Sequence, residues 1–163
     1  MFLDDAKTLY DLDAPDTHSI RVEQIYSESR KGDAARLDLL SYLPLQSLQV
    51  IDLDTAKPMP ASKTGSAMAA KLEEPITNDK QSAHIKITGT LKDESYRVNG
   101  GELVFDRALH GLRNTVLLPG GWEICGLSQS GTIGMFQGRA FVALININGE
   151  NTYRVVIRAR KSR

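Results

Sequence analysis

The sequence predicts an all-β fold: a two-sheet antiparallel β-sandwich of immunoglobulin-like type, with about nine or ten strands and at most one or two short helices. Three observations carry that prediction. Apolar residues alternate with polar ones over short runs, turn-forming Asn-Gly and Pro-Gly pairs separate the runs, and segments of helical period are scarce. No repeat of constant period occurs, which excludes solenoids and propellers.

Residues 1–16 read as an acidic lead-in, irregular or with a short helical turn, closed by Pro15. From Thr17 to Glu28, Ile20, Val22 and Tyr26 fall on one side of a half-buried strand, with Arg21, Glu23 and Ser27 on the other. Arg30 to Asp33 reads as a polar turn. Arg36 to Leu43 and Leu48 to Leu53 are two short strands broken by Pro44, which lacks the N–H a central ladder needs. Residues 56–79 lack strand alternation and read as a long loop, with Ser66 to Glu74 a short helix ended by Pro75, since Ala, Lys, Leu and Glu are good helix formers.

The second half is more plainly β. Ile85, Ile87 and Leu91 alternate with Lys86, Thr88 and Thr90 along a strand from Ala83 to Leu91. Asn99-Gly100-Gly101 joins Tyr96 to Val98 with Glu102 to Phe105 as a hairpin, because Asn-Gly supplies the positive φ of tight hairpin turns. Asn148-Gly149 repeats the device between Arg139 to Ile147, apolar on both faces and expected to be central, and Thr152 to Arg160, expected to be half exposed. Between these, Asn114 to Leu118 and Trp122 to Leu127 are strands joined by Pro119-Gly120-Gly121. The expected inner faces include Ile20, Val22, Ile85, Ile87, Val142, Leu144, Val155 and Ile157.

With 163 residues, 41% hydrophobic and 25% charged, the chain has the composition of one soluble globular domain spanning 1–163. Its longest apolar runs are far shorter than the roughly 20 residues of a spanning helix, so membrane insertion is not expected. The N-terminus lacks the n-region and h-region of a secretory signal, and the single Cys125 allows no internal disulfide, so the compartment stays open. Net charge is zero, although residues 1–82 carry 14 acidic and 9 basic side chains and residues 83–163 carry 6 and 11. We read this asymmetry as complementarity between packed halves. The basic end at Arg158, Arg160, Lys161 and Arg163 has no interleaved aromatics, and nucleic acid is not an expected partner.

Catalytic signatures fail at specific positions. Gly126-Leu127-Ser128-Gln129-Ser130 lacks the second glycine of a nucleophile elbow, and Ser62-Lys63-Thr64-Gly65 lacks a preceding phosphate-cradling loop. His18, His84, His110 and Cys125 show no metal-ligand spacing, so neither a metal nor a cofactor is expected. Cys125 reads as a packed thiol beside Trp122, Ile124 and Leu127. The one polar constellation is the stretch from Asp106 to Asn114, read as a connection between strands. There Asp106, Arg107, His110 and Arg113 either line a ligand site or form a bracket in which Asp106 pairs with an arginine. Trp122 is a core residue or, if exposed, a sugar-stacking platform, with Tyr96 and Tyr153 as companions.

The segments Tyr96 to Arg107, Arg113 to Trp122 and Val156 to Arg160 resemble β-sandwich domains of uncharacterised bacterial exported proteins. The turn Leu118-Pro119-Gly120-Gly121-Trp122 and the stretch Asp13 to His18 are similar to the N-terminal sandwich domains of gluzincin aminopeptidases. No His-Glu-x-x-His occurs here, so the peptidase chemistry does not carry over. The resemblance implies export and a non-catalytic accessory or protein-interaction module with a protein partner or neighbouring domain. Two alternatives stand beside it: a carbohydrate-binding module built on Trp122, and a hydrolase with its site near His110.

Overall fold

Thr8, Tyr10 and Leu12 fall on one side of an extended segment and Lys7, Leu9 and Asp11 on the other, and in the computed structural model this segment is strand β1 (Lys7–Leu12). The structure describes residues 7–28, 36–40, 43–64, 67–72 and 83–163. A 3-10 turn at Pro15–Thr17, closed by His18 at φ 50°, reverses the chain into β2 (Ser19–Glu28). Next come β3 (Arg36–Leu40), β4 (Gln46–Asp52), β5 (Lys57–Pro58), β6 (Ala61–Thr64) and β7 (Ala67–Lys71). The second half supplies β8 (Ala83–Lys92), β9 (Tyr96–Asn99), β10 (Glu102–His110), β11 (Arg113–Leu117) and β12 (Trp122–Leu127). The last strands are β13 (Thr132–Phe136), β14 (Arg139–Ile145) and β15 (Thr152–Lys161).

These strands form an eight-stranded sheet in the order β13-β14-β11-β1-β2-β8-β4-β5, a four-stranded sheet β12-β15-β10-β9 and a three-stranded sheet β3-β7-β6. The eight-stranded sheet is mixed. β1 runs antiparallel to β2 but parallel to β11, with Lys7 opposite Arg113 and Asp11 opposite Leu117. The first strand thus fills an interior place in the sheet, bridging its two halves.

The core lies between the eight- and four-stranded sheets. Tyr10, Leu12, Ile20, Val22, Leu91, Val116 and Val142 from one meet Tyr96, Leu103, Phe105, Leu109, Val155 and Ile157 from the other. The rings of Tyr10 and Phe105 lie 6.1 Å apart at 59°, a tilted contact across the interface. All eight residues expected on the inner faces are buried, at 3% exposure or less. Gly89 faces the same interior. A Cβ there would stand 2.8 Å from Leu45 Cβ, so its missing side chain is the notch into which Leu45 packs.

The architecture is all-β and sandwich-like, yet several local expectations change. Three sheets and a parallel pair replace a purely antiparallel two-sheet arrangement of nine or ten strands. Lys7–Leu12 is a strand and not a lead-in, because Thr8, Tyr10 and Leu12 are all buried. Ala67–Lys71 is strand β7, not a helix, because ladders to β3 on one side and β6 on the other outweigh the helix preference of its alanines. Residues 30–33 and the ends of the expected helix, 66 and 73–74, lie outside the described residues.

Asn148-Gly149 does not close a hairpin: β14 and β15 belong to different sheets, and the turn, with Gly149 at φ 66°, carries the chain between them. Likewise Pro119-Gly120-Gly121 links β11 and β12 in different sheets, and β14 sits one place from an edge. The β9–β10 hairpin forms as expected, with the two positive φ values at Gly100 and Gly101 and Asn99 opposite Glu102. No helix among the described residues is long and apolar enough to cross a membrane.

Candidate functional site

The stretch from Asp106 to Asn114 is mostly strand. β10 continues to His110 and β11 begins at Arg113, leaving only Gly111 and Leu112 as the connection. Alternation then separates the polar residues. Arg107 shares a face with buried Leu103, Phe105 and Leu109 and enters the space between the sheets, while Asp106 and His110 lie on the outer face of the four-stranded sheet. Arg113 stands opposite Ile145 on the outer face of the eight-stranded sheet. Trp122 is 8% exposed, at the start of β12, with the Lys161 ammonium 5.8 Å from its ring centroid. The four residues expected to line one site thus fall on the core side and on the outer faces of two different sheets, and Trp122, the separate platform candidate, is largely buried.

Most of them have a local account. Asp106 accepts two hydrogen bonds from Arg154, from Nε at 2.8 Å and Nη2 at 2.6 Å, and this contact holds its carboxyl below the usual range. Burial lowers the His110 pKa, the Arg107 charge lowers it further, and a backbone hydrogen bond at Asn151 opposes both. Asn114, 1% exposed, donates to His110 O at 3.0 Å and to the Tyr153 hydroxyl at 2.8 Å, tying the β10–β11 turn to β15. Tyr96 is fully buried with its hydroxyl on Asp13 O at 2.5 Å, so Tyr96, Tyr153 and Trp122 form no exposed aromatic platform.

The ion pair that organises this region is one that sequence reasoning missed. Arg107 binds Asp93, from the β8–β9 turn, with both side chains more than four-fifths buried. Burial pushes the Asp93 carboxyl up, but hydrogen bonds from Ser95 and the Arg107 guanidinium outweigh it and leave the group below its ordinary value. Two signals marked it in the sequence: Asp93 two residues before Ser95, the spacing of an Asx turn, and Arg107 in phase with Leu103, Phe105 and Leu109.

Cys125 is exposed and not packed. The ladder to β15 shifts register between Ile124 and Gly126, making Cys125 the extra residue of a β-bulge. The phase slip is visible in the sequence, where apolar Trp122 and Ile124 are followed by Leu127 instead of an apolar residue at position 126. Several charged residues on the outer face of the eight-stranded sheet pair with one another. Asp11 accepts from Arg21 at 2.8 Å and Arg139 at 2.5 Å, and Glu23 from Lys86 at 2.7 Å. His84 and Asp54 form a similar exposed pair at 2.7 Å.

Among the described residues, the exposed surface around one sheet edge is apolar. Of the seven exposed large hydrophobics among the described residues, Ile133, Met135, Phe136, Ile145 and Ile147 lie on β13, β14 or the residues just after it. β13 is also an edge. Ile133 and Met135 face the side of Val142 and Ala140, and Phe136 faces the side of Phe141 and Arg139. Gly134 is overlaid by the Phe141 ring, which would stand 2.5 Å from any Cβ there. The sequence signal was an uncharged run, Thr132-Ile133-Gly134-Met135-Phe136, which the glycines had marked only as a hairpin arm.

No protein-family model matches the sequence, and no curated protein matches it. Solved structures do share the fold. The M1 zinc metallopeptidase of Deinococcus radiodurans matches 93% of this chain at TM-score 0.58 and 9% identity, using 40% of its own chain. A structure described as a two-domain M1 zinc metallopeptidase variant bound to L-tryptophan matches 95% of this chain at 0.57 and 9% identity, using 41% of its own. An aminopeptidase N family protein from Idiomarina loihiensis matches 93% at 0.55 and 10% identity, using 29% of its own. This chain thus has the fold of a minor portion of M1 peptidases and spans less than half of their length. No group of three or more His, Cys, Asp or Glu among the described residues is placed to hold a metal ion.

Proposed function

We propose that this chain is a non-catalytic accessory or interaction module, and that the β13 edge with its flanking apolar residues is the surface it presents to a partner or neighbouring domain. The observation that carries this reading is the concentration of exposed hydrophobics there, with Met135 at 66% and Ile147 at 84% exposure. Exposed hydrophobics clustered at one sheet edge mark an interaction site more often than singly scattered ones do, and here Ile133 and Met135 lie on one side of β13 and Phe136 on the other. The likeness to part of two-domain peptidases supports the same view, because in those proteins the matching region is joined to a larger remainder of chain. The peptidase activity stays with those proteins.

A photo-crosslinking residue placed at Met135, and separately at Arg158 on the opposite exposed face, tests the reading in cells that produce the chain. A discrete light-dependent adduct from position 135, absent from 158, is expected. No adduct at 135, or equal labelling at both, would overturn it.

A further inference from the structure

We infer that the partner at this edge is a second copy of the same chain, added through antiparallel β13–β13′ pairing that joins two eight-stranded sheets into one. The inference rests on the interaction-module reading and names its occupant.

The first argument is the contrast among sheet edges. Edge strands present unpaired N–H and C=O groups, and proteins blunt them with charge, proline or a bulge. The opposite edge of the same sheet, β5, is the dipeptide Lys57-Pro58, and backbone bonds from Met59 N to Val50 O and Lys71 N to Pro60 O carry the chain on toward the three-stranded sheet. β12 has Glu123 and the Cys125 bulge, β9 has Arg97, β6 has Lys63 and β3 has Arg36. Among the described residues only β13 is an outer strand with none of these, and its ladder to β14 runs in unbroken register.

The second argument is charge and register. A two-fold axis requires each strand to accept its own sequence reversed. Centred on Gly134, antiparallel pairing sets Ile133 opposite Met135 of the other copy and Thr132 opposite Phe136, and all five residues pair. No like charges meet, because Thr132 to Phe136 carries none, and the nearby Arg139 is already bound to Asp11 at 2.5 Å. At the axis Gly134 brings no side chain, so the two Phe141 rings that cover it meet without obstruction. An acidic or basic partner strand would find no complementary charge here.

Such a ladder is smaller than the roughly 1,600 Å² of ordinary stable interfaces, so the expected dimer is weak, with Kd of about 1–100 µM. Sedimentation equilibrium on the whole chain measures it. The double variant Ile133→Lys/Met135→Lys sets like charges opposite each other and should weaken association by at least about tenfold. Ile133→Glu/Met135→Glu should do the same alone, while mixing the two variants should restore a dimer. Both positions are more than half exposed, so thermal melting of the variants should match the parent and separate loss of pairing from loss of folding.

A parent chain that stays monomeric up to about 500 µM, above the range expected for an edge of this size, would overturn the inference. So would a dimer indifferent to both variants, or variants that fail to recombine. A position-135 adduct of any mass other than twice 18.0 kDa would also overturn self-pairing while leaving the interaction module standing.

Discussion

Arg107 reaches into the interior from the strand that also supplies Leu103, Phe105 and Leu109, and it does so only because Asp93 meets it there. Removing one member of a buried pair leaves a charge uncompensated at a cost of about 3–5 kcal/mol, whereas an apolar replacement of the whole pair costs little. Asp93→Ala should therefore destabilise the chain by that amount in urea unfolding, and Asp93→Ala/Arg107→Met by much less. Asp106→Ala should melt like the parent, because its partner Arg154 is 72% exposed. The pH dependence follows from the Asp93 carboxyl. Its folded pKa lies below the unfolded value of 3.8, so the stabilisation is complete above 3.8 and is lost as pH falls through the lower folded value. Asp93→Asn should flatten that acid limb of a stability-against-pH curve, and an unchanged limb would show that other carboxylates dominate it. Residue identity alone pointed to Asp106 as the bracket, since a carboxylate amid arginines is easily seen in a string. Asp93 was hidden because its partner is fourteen positions away and its burial depends on how two sheets stack.

Among the elements, alternation proved most legible where one face is buried and the other wet, as in β2, β8 and β15, whereas the second half of β10, Asp106 to His110, reads as a connection in the sequence. It failed where pairing alone decides, as in β7, whose sequence Ala67 to Lys71 has no β-branched residue and is held by neighbours on both sides. Turn chemistry located the turns at Pro119-Gly120-Gly121 and Asn148-Gly149 but not their destinations, since a tight turn and a crossing between sheets use the same positive φ. Two measurements bear on these elements. Gly89→Ala forces a Cβ against Leu45 and the Gln46 carbonyl, and should cost about 1–3 kcal/mol by thermal unfolding. Asn146→Ala removes the 2.6 Å bond to Glu150 O that braces the crossing from β14 to β15, and should cost about 1–3 kcal/mol, with faster amide exchange confined to that crossing.

The whole molecule is held by pairings between segments distant in sequence, which slow folding because loop closure must precede the contacts that reward it. Refolding is expected on a millisecond-to-second scale or slower, and a microsecond phase carrying the full amplitude would contradict this. Far-ultraviolet circular dichroism should be strand-dominated, and helix above about one-third of residues would contradict the fold. The interior place of β1 has a further consequence in the cell. Its antiparallel neighbour β2 follows at once, but the strand that must lie along its other side, Arg113–Leu117, is made about a hundred residues later. At ordinary translation speeds that is an interval on the order of ten seconds. Throughout it the nascent chain holds a half-built sheet whose growing side is its oldest strand, so a ribosome-bound chaperone that shields Tyr10 and Leu12 would act on a vulnerability set by the order of synthesis.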